Sequence, residues 1–489
     1  MIVLHEKIDV PRRVREAFDY VRDFRTTTEW DATAIDAVKL GKGPVVVGTR
    51  FRVTCEMPVG SVDLIYTVTH LEQDKAIELH GSCKLFEVSD VIHFSETASG
   101  THIDYRASFN FKIPLGPALG ALRKGMEKMG HASVQGMKKA LEDNYPAPSI
   151  SAGNARADRW ILPGMARFSR RGYKLGRRHW QAMSAWMGDS HVVVTGASSG
   201  LGLATARALA ERGAILTLVI RNEARATELA SELQRETGNS SIFVEVADLS
   251  LMAEVQRLSE RLLRKGRPID VLVNNAGALF NPRGETAEGI EQSFALLLLS
   301  PYRLTEALRP LLAAAPQGRV INVVSGGMYS QPLQVHKLIA REEGYSGSVA
   351  YARCKRALMV LTEQWAQDWA DDGIVVNAMH PGWADTPGVE SALPGFHRLT
   401  RRILRSPEEG ADTIVWLAVA TEAGKVSGKL FLDREPRTTH LLAKTRDLPE
   451  EREALQPFLR DFTFPAGASQ ARAGRGSRAA APSADGLSS

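Results

Sequence analysis

The stretch 191–213, HVVVTGASSGLGLATARALAERG, constrains the fold more than any other part of the chain. Its opening residues are apolar without alternation, as in a strand covered on both faces. Its second half, LATARALAERG, reads as a helix. Between them stand Thr195, Gly196, Ser198, Ser199, Gly200, Leu201 and Gly202. Glycines here let the chain turn tightly and bring backbone N–H groups up to a pyrophosphate at a helix N-terminus, where the helix dipole favours negative charge. A glycine-rich loop alone is weak evidence; one with a strand before it and a helix after it is stronger.

Further motifs follow in order. Asp248-Leu249 ends one apolar run, VLVNNAG supplies Asn274, Asn275, Ala276 and Gly277, and RVINVVS ends at Ser325. YARCK sets Tyr351 and Lys355 four apart, on one helical face, and HPGWADT supplies Pro381, Gly382 and Thr386. With the TGxxxGxG spacing, this series resembles the short-chain dehydrogenase/reductase family over about 250 residues, and further strings (VSGGM, LPGFH, EGADTIVWLA) sharpen the match to one branch of it. The resemblance implies a Rossmann-type doubly wound parallel sheet. It also implies that Gly196 to Gly202 hold a dinucleotide, that Asp248 and Leu249 hold its adenine, and that Asn274 to Gly277 line its site. Pro381, Gly382 and Thr386 would meet the nicotinamide, and Ser325, Tyr351 and Lys355 would be catalytic.

The chemistry of these residue types agrees. A Tyr hydroxyl titrates near pH 10, too high for acid–base work at neutrality, and a cation one helical turn away would lower it. Ser325 would hydrogen-bond the substrate oxygen. The 25 residues between it and Tyr351 are more than the family's compact form has, and Ser330 is a rival. At the end of LTLVIRN, Ile220 stands where a carboxylate would bind the ribose 2′-hydroxyl, and Arg221 follows. Arginine pairs with a 2′-phosphate, so NADP(H) is favoured over NAD(H). One departure concerns FALLLLS at 294–300: the family usually sets an asparagine where Leu297 stands, to hold a proton-relaying water, and leucine has no side-chain hydrogen-bonding atom. Pro301 would also disturb the helix there.

Residues 1–145 form a separate unit. THIDYRASFNFKI alternates apolar and polar, as a strand with one wet face does; similar runs lie near 47–57, 63–72, 76–82 and 86–96. A helix follows Pro11, and a second runs from Leu115 to Leu141 with Gly120, Gly125, Gly130 and Gly136 in it. These glycines fit close packing on the sheet, or space for an apolar ligand. The pattern resembles the START-like (SRPBCC, polyketide cyclase/dehydrase) helix-grip superfamily, which implies an α+β domain with a hydrophobic cavity. The connector 146–188 is basic and aromatic (Trp160, Phe168, Tyr173, Trp180), fitting either packing on the next domain or peripheral membrane contact. The reductase-like domain spans 189–445. Within it, Phe396, Leu399, Ile403 and Leu404 oppose Arg398, Arg401, Arg402 and Arg405, as in a substrate lid. Residues 446–489 form an extension, low in complexity and expected to be disordered from about 465.

Composition narrows the function classes. The net charge of +5 among 489 residues does not indicate a nucleic-acid partner. Three cysteines, far apart and without metal-ligand spacing, indicate neither a disulfide framework nor a metal site. The N-terminus MIVLHEKIDV lacks signal-peptide character, so the cytoplasm is the expected location. The expectation is an NADP(H)-dependent oxidoreductase interconverting alcohol and carbonyl on a hydrophobic substrate, with homo-oligomerisation expected from the resemblance alone. Two other readings stand beside it: a lipid-binding redox sensor without turnover, and a cyclase or dehydratase with an attached reductase.

Overall fold

A computed structural model describes residues 1–56, 61–112, 119–158, 166–177, 180–385 and 403–463. Two sheets organise it. The first has seven strands, β1 (Ile2–Val10), β2 (Ala34–Leu40), β3 (Arg50–Glu56), β4 (Ser61–Glu72), β5 (Ala76–Ser82), β6 (Phe86–Thr97) and β7 (Gly100–Phe111). They pair antiparallel in the order β1-β7-β6-β5-β4-β3-β2. The Val14–Arg22 and Leu119–Glu142 helices cover the inner face, where Phe18, Phe51, Ile77, Ile92 and Met137 are fully buried. This is the α+β helix-grip arrangement.

Two helix glycines have a packing explanation. A Cβ on Gly136 would lie 2.1 Å from the carbonyl oxygen of Trp30, and one on Gly130 would lie 2.5 Å from Leu4. Gly125 faces nothing within 4 Å. β2 carries its apolar residues the other way round: small Ala34 and Ala37 point inward while Ile35, Val38 and Leu40 are exposed.

The second sheet comprises β8 (His191–Thr195), β9 (Ile215–Ile220), β10 (Ile242–Val246), β11 (Val271–Asn274), β12 (Arg319–Val323), β13 (Val375–Met379), β14 (Leu430–Leu432) and β15 (Glu435–Arg437). Its order is β10-β9-β8-β11-β12-β13-β14-β15, parallel as far as β14 with β15 antiparallel. Val192 to Val194 are wholly buried, which explains a strand without alternation. The strand order reverses between β8 and β11, and a doubly wound sheet opens a crevice at the carboxyl ends of its strands at such a point. The Gly200–Glu211, Glu223–Thr237 and Met252–Lys265 helices follow the first three strands. Ser406 and Glu409 form a reciprocal capping box that opens the Pro407–Val419 helix.

The connector lies against the second domain. Phe168 and Tyr173 are buried, Tyr173 meets Trp180 edge to face at 5.1 Å, and Arg434 stacks over Trp180 at 4.1 Å. Trp160 lies outside the described residues. The front domain meets both the connector and the second domain: Ser184 Oγ of the connector donates to the Ala140 carbonyl (2.6 Å) and the Met183 N–H to Glu29 (3.0 Å), while Arg25 pairs with Glu211 (3.1 Å). Past the second sheet, the Pro449–Arg460 helix buries Leu455 and Leu459 in the core, while Phe462 packs on Phe294. Residues from 464 onward lie outside those described.

Candidate active site

A cleft of about 1080 Å³ opens at the carboxyl ends of β8, β9, β11, β12 and β13. The loop after β8 forms one wall and is pinned from below. Thr195 Oγ1 donates to the Val273 carbonyl and accepts from the N–H groups of Asn275 and Ala276. The Asn275 amide donates to the carbonyls of Thr195 and Gly196. Gly196 has φ +65°, and a Cβ there would lie 2.7 Å from Ala276; on Gly202 it would lie 2.2 Å from the Gly196 carbonyl. Only glycine fits either place.

Gly196, Ser198, Ser199, Gly200, Leu201, Gly202, Arg221, Asp248, Leu249, Asn275, Ala276, Gly277, Ser325, Tyr351, Lys355, Pro381 and Gly382 all face this cleft. Arg221 is exposed and makes no ion pair or hydrogen bond among the described residues. Asp248 accepts from the Ser250 backbone and hydroxyl (2.9 and 2.7 Å). One described candidate is not brought there. Asn274 turns into the core, its amide donating to Thr305 (2.9 Å) and Asn322 (2.8 Å), because its position on β11 points it between the strands and the Ser300–Ala313 helix. Thr386 lies outside the described residues.

Ser325 follows β12 and caps the short turn Gly326–Ser330, accepting from the Gly327 N–H. Tyr351 and Lys355 project from one face of the Gly347–Asp368 helix, with the Tyr351 hydroxyl near Ser325. Ser330 also reaches the cleft, but its hydroxyl donates to the Gly327 carbonyl. Lys355, 3% exposed, donates to the Val323 carbonyl at 2.7 Å and sits 5.8 Å over the Tyr351 ring. The electrostatics run opposite to the expectation from sequence. Burial pushes the Tyr351 hydroxyl up to about 12, against the smaller opposing effect of Ser325, and pushes the Lys355 amine down to about 8. Desolvation outweighs the neighbouring charge, so the site at rest holds a protonated tyrosine.

Leu297 is fully buried within a π-helical segment, Ala295–Leu299, that runs directly into the Ser300–Ala313 helix with Pro301 in its first turn. A Cβ on Gly277 would stand 3.1 Å from Leu297 Cδ2 and 3.8 Å from Lys355 Nζ, so both side chains border the space beside Gly277. The space left among Leu297, Ser300, Thr195 and Lys355 is about 10 Å³, at the floor of what one water needs.

One cleft residue had no distinguishing signal in the sequence. Phe168, from the connector, packs edge-on against His380 (4.6 Å) and Trp383 (6.1 Å). Its carbonyl accepts from the Trp383 N–H (2.9 Å) and from Arg405 Nε (3.0 Å). Arg405 is 1% exposed and bidentate on Asp433 (2.6 and 2.9 Å). Where the lid pattern can be seen it holds for Leu404, which is buried, and is corrected at its neighbours: Ile403 is exposed and Arg405 buried, because the ion pair and the connector carbonyls draw the guanidinium inward. Phe396, Arg398, Leu399, Arg401 and Arg402 lie outside the described residues.

Residues 190–394 match the short chain dehydrogenase family, and residues 1–142 match the family "Polyketide cyclase / dehydrase and lipid transport". The chain is 39% identical over 311 residues to dehydrogenase/reductase SDR family member 12 of Bos taurus, covering 63% of this chain and 97% of that one. It is 33% identical over 244 residues to retinol dehydrogenase 12 of Homo sapiens, covering 50% and 77%. Among solved structures, L-sorbose reductase of Gluconobacter frateurii, complexed with NADPH and L-sorbose, has 25% identity and a TM-score of 0.42, covering 52% of this chain and 98% of that one. The chain belongs to the short-chain dehydrogenase/reductase family of oxidoreductases and carries a polyketide cyclase/dehydrase-type domain at its front.

Proposed function

We propose that the protein is an NADP(H)-dependent oxidoreductase that interconverts a carbonyl and an alcohol on a hydrophobic substrate. The observation that carries this reading is the shared cleft: a loop that admits no side chain at Gly196 and Gly202 stands at one end, and a Tyr351–Ser325 hydroxyl pair at the other. That backbone cradle and the uncommitted Arg221 fit a dinucleotide with a 2′-phosphate. When bound, the nicotinamide supplies or accepts the hydride. Ser325 donates to the substrate oxygen and fixes it. Tyr351, protonated at neutral pH, gives that oxygen a proton as it becomes an alkoxide in the reductive direction and takes one from the alcohol in the reverse. Lys355 holds the helix to Val323 and keeps a dissociable proton behind the tyrosine. Phe168, Tyr329 and Trp383 supply an apolar wall for the substrate body, and the relative named for retinol supports a hydrophobic alcohol or carbonyl.

Leu297 favours a second reading, in which nucleotide binds without turnover. Titrating the full chain with NADPH, alone and with a panel of long-chain ketones and aldehydes, separates the two. Carbonyl-dependent NADPH oxidation is expected, abolished in Tyr351→Phe with nucleotide binding retained. Binding without oxidation across the panel would establish the sensor, and full turnover by Tyr351→Phe would remove the assigned acid.

A further inference from the structure

The chain past β15 returns to the cleft. Across the sheet, the ends of β10, β9, β8, β11, β12 and β13 deliver Asp248, Arg221, the glycine loop, Ala276, Ser325 and Pro381 in that order. The cleft therefore has an Arg221 end and, beyond β13, a far end. β14 and β15 extend the sheet past that far end, and the segment that follows, from Thr438 to Asp447, sets Leu441 and Leu442 on the cleft. This segment lies beyond residue 394, where the match to the reductase family stops. Both leucines are half-buried and border the open volume.

What holds them there is polar and buried. Ahead of the leucines, the Tyr329 hydroxyl donates to the Thr438 carbonyl at 2.9 Å. Behind them, Thr445 donates through its N–H and its hydroxyl to the Leu442 carbonyl (3.1 and 3.0 Å). Asp447, its side chain 2% exposed, accepts from the Leu333 N–H (2.8 Å), meets His440 (3.1 Å) and stands 3.8 Å from Arg356 Nη1. Arg356 is wholly buried, on the helix that carries Tyr351 and Lys355. Its Nε and Nη2 donate to the Gln331 and Met328 carbonyls, both at 3.2 Å, and Nη1 has no hydrogen bond among the described residues. A buried guanidinium is costly to desolvate, and an apolar side chain would fill its place as well. What Arg356 adds is registration: it ties the turn after Ser325, and through Asp447 the leucine segment, to the Tyr351 helix. The long stretch between Ser325 and Tyr351 leans on the same segment, since its Leu333 and Val335 N–H groups find their acceptors in Asp447 and Glu451 (2.8 and 2.6 Å).

We propose that Leu441 and Leu442 are specificity-determining residues, the wall against which the apolar body of the carbonyl substrate ends, and that Arg356 and Asp447 are positioning residues that fix this wall at one distance from Tyr351. The inference rests on the reading of the cleft as that of a carbonyl reductase and adds a size limit to it. A wall that meets the substrate beyond its reacting carbon selects by length, and one methylene accepted or refused in an apolar pocket is worth about tenfold or more in kcat/KM.

The test compares methyl hexyl ketone with methyl decyl ketone on the full chain. Selectivity is read twice: as kcat/KM with NADPH, and as Kd in the Tyr351→Phe protein saturated with NADPH. The Leu441→Ala, Leu442→Ala double variant should raise the preference for the decyl ketone about tenfold in both readouts. Leu442→Trp should lower it severalfold, and neither change should move the KM for NADPH. Asp447→Ala, which frees the wall, should raise KM for both ketones severalfold with kcat nearly kept. Asp447→Asn, which still accepts from the Leu333 N–H, should recover most of that loss. Preferences unmoved by both leucine changes, or no binding of either ketone to the natural protein, would overturn the wall. A loss in Asp447→Ala that falls on kcat, or that Asp447→Asn does not recover, would overturn the positioning role. Shifted Kd preferences without turnover would remove the catalytic reading and leave the wall standing.

Discussion

Leu297 presents a methyl group to the small space it shares with Lys355, where a hydrogen-bonding side chain would hold water. Leu297→Asn removes that methyl and opens room for a water, so turnover should rise several-fold in steady-state assays. Burying an amide among leucines should also cost about 1–3 kcal/mol in urea unfolding. Arg221 has no other task among the described residues, and Arg221→Ala should weaken NADPH binding about tenfold or more, with NADH little affected; isothermal titration would show it. Asp90 gives a stability signature. Folded, it holds its proton to about pH 7; unfolded, it loses it near 3.8. Folding takes up that proton between the two values, so this contribution falls as pH rises from about 4 to about 7 and stays lost above. Asp90→Leu should therefore gain more over the natural protein at pH 8 than at pH 5, by roughly a few kcal/mol in denaturant midpoints. The Tyr351, Lys355 and Ser325 positions were legible because helical spacing and strand ends carry their geometry. Asn274 stands within an equally clear motif yet faces the core, and Asp90 in SDV reads as an ordinary wet-face residue until its strand's register is known.

Elements show the same division. β8 and the Gly200–Glu211 helix could be read directly, since covered strands and glycine turns have few alternatives. β2 could not, because its large apolar residues face outward. The π-helical turn Ala295–Leu299 was legible only as a disturbance near Pro301: a proline lacks the N–H that would continue the α ladder, but sequence does not say whether a chain kinks or widens there. The connector shows what aromatic and basic residues can do once a core is available. Phe168→Ala should widen the cleft, raising KM for apolar carbonyls severalfold with a smaller change in NADPH affinity. Arg405→Ala leaves Asp433 buried and unpaired, and should cost about 3–5 kcal/mol in thermal or urea unfolding.

At the scale of the molecule, the connector holds the front domain through Ser184 and Met183 and the second domain holds it through the Arg25–Glu211 pair, so the two domains and the strip between them form a single packed body. Phe168 gives that body a consequence for how the protein can be divided. The match to the reductase family begins at residue 190, but a cleft wall is anchored upstream of it, on the far side of β8 from the rest of the fold's sequence. A chain cut at the family boundary would keep the sheet, the glycine cradle and the Tyr–Lys face, yet would expose His380 and Trp383 where Phe168 had covered them. The inherited domain and the working catalytic unit have different starting points, and the difference is the strip of chain that joins the two halves.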